Sequence, residues 1–192
     1  MTVLLLAGAA SFGLMALSDA LCVFARRPAA RGLFVVGQLL LVLATALLLW
    51  RTGAGAPAAQ PLRLLWLPVL GAGAFALCDT LFFALPAGGS GLLPPKATGL
   101  RPLIDTGMFA LCRHPGVLWL GLVYLALWGL LGGAALPWAF VLFFVLDVLY
   151  VLWQDIWLFP RSIAGYAAYR QRTPFLVPTP RSVRACIASF RR

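Results

Sequence analysis

Apolar residues run along this chain in long blocks, interrupted by short clusters of glycine, proline and arginine rather than by the polar stripes of amphipathic surface helices. Blocks near 2 to 25, 33 to 50, 64 to 86, 116 to 134 and 136 to 158 each come close to the roughly 20 apolar residues that a helix needs to cross a bilayer. The pattern predicts an all-α integral membrane protein with about five transmembrane helices. The last two blocks form a helical hairpin, because in "GLLGGAALP" Gly132 and Gly133 break one helix and Pro137 suits the first turn of the next. The first block reads as a span rather than a cleavable signal peptide: it has no basic segment before it, is too long, and is followed by Arg26 and Arg27 instead of small residues.

Composition agrees with the pattern. The 192 residues are 62% hydrophobic and 10% charged, with a mean hydropathy of +0.96; soluble domains are about half apolar and a quarter charged. Thirteen of the fifteen basic residues fall on one side of the predicted spans, leaving only Arg51 and Arg63 on the other. The positive-inside rule then places the N-terminus outside and the C-terminus in the cytoplasm. The net charge of +10 is accounted for by that topology and by contact with anionic headgroups. Nucleic-acid binding is not expected, since no basic stretch sits on a soluble domain. The bias toward alanine, leucine and arginine points to a GC-rich bacterial gene, hence to a bacterial inner membrane. The chain reads as a single membrane domain: a three-helix part over 1–99, a core over 100–180 and a basic tail over 181–192.

Four cysteines, Cys22, Cys78, Cys112 and Cys186, show no metal-finger spacing, and one histidine without any glutamate supplies no metal constellation, so no metal is expected. All five acids are aspartates, and Asp19, Asp79 and Asp147 lie within predicted spans. A carboxylate at that depth needs a partner or water. Interhelical hydrogen bonding is one account of these three, and a cavity for a cationic or amine-bearing ligand is the other. "ALSDALCVFA" and "ALCDTLFFAL" look alike around two of them, but the match fades on both sides and reads as coincidence rather than repeat.

On the basic side, the connector "AGGSGLLPPK" leads into "LIDTGMFALCRHPG", where Pro115 sets His114 at a bend before the fourth span. The fifth span ends through Gln154 and Asp155 and leads to Tyr166 and Tyr169, three apart on one face of a short helix, with Arg170, Arg172 and Pro174 beyond. Read alone, these are interfacial residues: a solvated histidine, arginines anchored among headgroups, and an amphipathic helix resting on the membrane.

Read together, the two segments resemble the integral-membrane methyltransferases related to isoprenylcysteine carboxyl methyltransferase and phosphatidylethanolamine N-methyltransferase. The resemblance spans about residues 100 to 180: Gly107, Phe109, Arg113, His114 and Pro115 before a hairpin, then Gln154 and Asp155, then Tyr166, Tyr169, Arg172 and Pro174. It implies that S-adenosylmethionine lies in a cytoplasmic pocket touched by Phe109, Leu111, Arg113, His114, Pro115, Gln154, Asp155, Tyr166 and Tyr169. Arg172 and Asp155 would act at the reacting centre, and a lipophilic or lipid acceptor would enter from the bilayer. Where the family has two glutamates before the first tyrosine, this chain keeps one carboxylate, Asp155. Val117 and Trp119 stand where the family often has tyrosine and glycine, and Ser162 and Ile163 where it has phenylalanine and glycine. Two other functions fit the same architecture: a reductase resembling the membrane sterol reductases, which use NADPH, and a non-catalytic lipid-binding or interaction module. Acceptor identity and oligomeric state are not written in the sequence.

Overall fold

A computed structural model describes residues 1–53, 61–83, 100–133 and 136–190. The connector with Lys96, the end of the third predicted span and the last two arginines lie outside the described residues. Among the described residues the regular elements are helices, and no strand forms; Arg101 and Ile163 make an isolated parallel bridge. Four stretches, Thr2–Val23, Pro28–Thr52, Leu62–Leu81 and Leu136–Ser162, are long and apolar enough to cross a membrane.

The fourth predicted span differs from these. It is the 17-residue helix Pro115–Leu131. At about 1.5 Å per residue it reaches about 26 Å, less than the roughly 30 Å of a hydrocarbon core. Its ends are fixed by chemistry: Pro115 occupies the first helical position, and Gly132 and Gly133 take the left-handed backbone at φ 71° and 89° just past the last turn.

The helices are α1 (Thr2–Val23), α2 (Arg31–Gly53), α3 (Trp66–Cys78), α4 (Met108–Leu111), α5 (Pro115–Leu131), α6 (Leu136–Trp153), α7 (Phe159–Ser162), α8 (Tyr166–Arg172) and α9 (Pro180–Ser189). Two helices end in π-turns, α3 running into Asp79–Phe83 and α6 into Gln154–Leu158. The chain divides into two compact units, one of residues 1–71 and 121–152 and one of residues 72–120 and 153–192.

In the first unit, small residues let helices approach closely, the usual device of membrane bundles. A Cβ on Gly8 of α1 would fall 2.2 Å from the ring of Phe143 on α6, which is fully buried. Gly37 of α2 similarly faces the Met15 side chain and the Ser11 carbonyl of α1, and Gly129 of α5 faces the indole of Trp66. Polar groups are paired across helices. Tyr150 donates to the Asp19 carboxylate at 2.5 Å, Thr45 and Tyr124 meet at 3.4 Å, and Ser18 donates to the Ala30 carbonyl at 2.9 Å. Asp19 therefore takes the interhelical role, through a partner on α6. Arg63 donates to the carbonyl of Leu131 at 3.1 Å, satisfying an orphan acceptor at the end of α5.

In the second unit α9 packs on α4. A capping box between Thr179 and Ser182 starts α9, with Pro180 in its first turn.

Candidate functional site

The site is assembled from three stretches of the second unit. Cys112 is extended at φ −156° and ψ 167°, which stops α4 after one turn and turns the chain toward Arg113 and His114. The π-turn at Gln154–Leu158 buries Gln154, Asp155 and Leu158 together. A π-turn inserts an extra residue into the helical ladder, and such turns are common at functional sites. Gly165, in the left-handed conformation at φ 72°, then starts α8 and turns Tyr166 and Tyr169 inward.

Asp155 is the hub, with 1% of its surface exposed. Arg113 holds it with two parallel bonds, Nε to Oδ1 at 2.8 Å and Nη2 to Oδ2 at 3.1 Å. The Tyr166 hydroxyl donates to Oδ1 at 2.6 Å, His114 Nε2 lies 3.4 Å from the same oxygen, and Arg170 Nε lies 3.4 Å from Oδ2. Paired bonds of this kind give direction as well as energy. Arg113 has further work: Nη1 donates to the carbonyls of Arg170 at 3.0 Å and Thr173 at 2.8 Å, and its main-chain N–H donates to Pro174 at 2.9 Å. One side chain thus ties the bend before α5, the π-turn and the end of α8 into a single cluster.

Aromatic rings wall this cluster. His114 stacks on Phe159 at 5.7 Å between ring centres and meets the edge of Phe175 at 5.1 Å. Phe159 in turn meets Tyr166, Tyr166 meets Tyr169, and the Arg113 guanidinium lies 5.6 Å from the centre of the Phe175 ring. Tyr169 does not reach Asp155; its hydroxyl donates to the Phe109 carbonyl at 2.7 Å and so fixes α4 against α8.

Burial decides the protonation of the histidine. It pushes the His114 pKa below its ordinary value, more than the opposing bond to Asp155 raises it. The ring is neutral near pH 7. Because the unfolded chain takes up the proton first, near about pH 6.5, stability is complete above that value and is lost as pH falls below it. The melting temperature in detergent is expected to drop between about pH 7 and about pH 5, and the drop should shrink in His114→Gln. An equal drop in both proteins would show that this ring does not control acid stability. Burial also raises the Tyr166 hydroxyl, which the neighbouring carboxylate raises further, so it remains a donor. The Cys112 thiol, pushed up to about 11 by burial, is unreactive at neutral pH.

Of the residues singled out from sequence, Arg113, His114, Asp155 and Tyr166 meet directly; Tyr169 touches the cluster through the Tyr166 ring and is bonded to the Phe109 carbonyl. Pro115 is fully buried, Gln154 is buried on the π-turn, and Leu111 is half-buried at the end of α4. Arg172 stands apart: it is exposed and ion-paired with Asp105. The tyrosines are buried, at 3% and 2% exposure, so they face the protein, while Arg170 and Arg172 on the rest of α8 are exposed. Asp105, Phe159 and Phe175 were not singled out. Aspartate two residues before the Gly107 turn was the available signal for the first, while the two phenylalanines look like ordinary apolar positions. Among the departures, the Ser162 hydroxyl bonds back to Leu158 at 2.9 Å, and its carbonyl accepts from the main chain of Arg101 at 2.9 Å. Val117 is buried at 2% exposure, and the buried indole N–H of Trp119 has no hydrogen-bond partner. Among the described residues no cluster of three histidine, cysteine or acidic side chains could hold a metal ion.

The chain is an all-helical protein with helices of membrane-spanning length and a buried arginine–aspartate–tyrosine cluster walled by rings. Comparison with models of protein families, with curated proteins and with solved structures gives no match.

Proposed function

We propose that this protein is an S-adenosylmethionine-dependent methyltransferase acting on a lipophilic acceptor at the cytoplasmic face of a bacterial inner membrane, with its N-terminus outside. The observation that carries the reading is the meeting of three separated sequence segments at Asp155: Arg113 and His114 from one, Asp155 itself, and Tyr166 from the third. These are the segments on which the family resemblance rests, and their meeting supports it.

The residues fit the cofactor in part. A sulfonium and an adenine suit the ring wall of His114, Phe159 and Phe175. Neutral His114, together with an Arg113 charge matched by Asp155, leaves little positive charge to repel a sulfonium. A carboxylate suits Arg170, whose side chain is 39% exposed, and the orphaned Trp119 N–H is a further donor for a polar ligand atom. Asp155 fits less well as a direct ligand. Its oxygens are occupied by protein donors, which makes it a positioning residue that holds Arg113 and Tyr166, rather than the counterion of the cofactor's ammonium group.

When bound, the cofactor supplies an electrophilic methyl group whose bond to sulfur breaks with the electron pair left on sulfur. The protein's part is to orient, exclude water and leave the acceptor's lone pair in line. Arg172 and Asp105, exposed beside each other, meet the polar end of the acceptor.

Saturable binding of S-adenosylmethionine to detergent-purified protein is expected by calorimetry, with no binding of NADPH. Phe175→Ala, which removes a ring without breaking an ion pair, should weaken binding roughly tenfold in protein that still folds, with a lowered melting temperature from the lost packing on His114 and Arg113. Folded protein that binds neither nucleotide would overturn the proposal and favour a non-catalytic membrane module. One observation favours that second reading: the Asp155 cluster is satisfied internally and would be stable without a ligand.

A further inference from the structure

Helix α9 presents three different sectors. Ser182, Cys186 and Ser189 turn inward, the first two buried and the third half-buried, on the side that packs against α4. Its apolar residues do not: Val183, Ile187 and Phe190 are 39%, 52% and 61% exposed. Arg181 and Arg184, also exposed, fall in the third sector, beside the apolar one at about 100° per residue. A helix that docks on its own protein through small polar groups, and leaves its apolar stripe bare beside arginines, has the pattern of an interfacial helix.

The same helix is tied to the candidate site. The Ser189 hydroxyl accepts from the Gly107 main-chain N–H at 2.8 Å, and a Cβ added to Gly107 would lie 3.7 Å from the Phe190 ring. Gly107 has φ 59° and ψ −134°, a conformation costly for any other residue, and it starts α4. One turn of helix separates this point from Cys112 and the bend at Arg113.

We infer that α9 binds the anionic surface of the bilayer in which the chain itself sits, and that through the Ser189–Gly107 bond this binding holds α4 in place beside the Asp155 cluster. Charge selects the occupant: a neutral protein groove would match the apolar stripe but not the two arginines beside it. The inference does not depend on methyl transfer.

Hydrogen exchange of the full-length protein tests it, in nanodiscs of phosphatidylcholine alone and of phosphatidylcholine with about one-third phosphatidylglycerol. Amides of 180–190 and of 107–111 are both expected to exchange more slowly in the anionic discs. The gain should shrink about fivefold for each of Arg181→Gln and Arg184→Gln, and should weaken as salt is raised. Ser189→Ala should leave the protection of α9 intact and remove that of 107–111. Equal exchange in the two lipids would overturn lipid recognition. Protection that follows protein concentration in detergent would assign the face to a second copy and also overturn it. Protection of α9 alone in the wild type would overturn the coupling. Calorimetry with S-adenosylmethionine is a separate readout, so failure there leaves these outcomes unchanged.

Discussion

Arg113→Ala is expected to destabilise the protein by about 3–5 kcal/mol, because it leaves the Asp155 carboxylate buried without its main partner. The arginine side chain is 10% exposed and the aspartate side chain 2%, so water cannot replace what is lost. Two carbonyls, of Arg170 and Thr173, lose their donor at the same time. A second substitution isolates the charge effect. In Arg113→Met/Asp155→Leu no charge is stranded, and much of the lost stability should return, since replacing a whole buried pair by apolar residues is often close to neutral. Recovery should be incomplete, because the two carbonyls remain without a donor. Unfolding measured in mixed micelles for both single variants and the double variant checks this. A double variant as unstable as the sum of the singles would mean that Arg113 and Asp155 are not energetically coupled.

Gly8→Leu should destabilise the first unit by about 3 kcal/mol. The Cβ alone would lie 2.2 Å and 2.3 Å from two ring atoms of Phe143, and that ring is fully buried. Phe143→Ala in the Gly8→Leu background should recover part of the loss by opening space for the new side chain. Gly13→Leu on the same helix is the control, because nothing lies within 4 Å of its Cβ position. Equal losses at Gly8 and Gly13 would show that helix contact at Gly8 does not limit stability.

The membrane-spanning character was legible because block length and hydropathy are sufficient to state it, and the hairpin turn was legible because Gly132 and Gly133 have few other uses between two apolar runs. Helix α5 stops at Leu131, where the sequence places its break: Gly132 and Gly133 take the left-handed backbone just past it. The π-turns at Asp79–Phe83 and Gln154–Leu158 leave no periodic signal, since one inserted residue shifts the phase of everything after it. Gln154 and Asp155, the first two residues of the second π-turn, are both buried. The meeting of Arg113, Asp155 and Tyr166 was anticipated only through the family pattern. Composition and spacing alone would have left all three at the membrane surface. The pairing of Arg172 with Asp105 was not anticipated, since it depends on how the end of α8 meets the segment before α4 and not on any local pattern.

Arg113 and Asp155 are 42 residues apart and stand at the two ends of the α5–α6 hairpin. Where α5 and α6 cross the bilayer as a pair, the two ends of their hairpin lie on the same side. If α5 stayed out, the arginine and the aspartate would be left across the membrane from each other. A bond between those two ends closes a loop of chain that contains both helices, and it can form only with an even number of membrane crossings between Arg113 and Asp155.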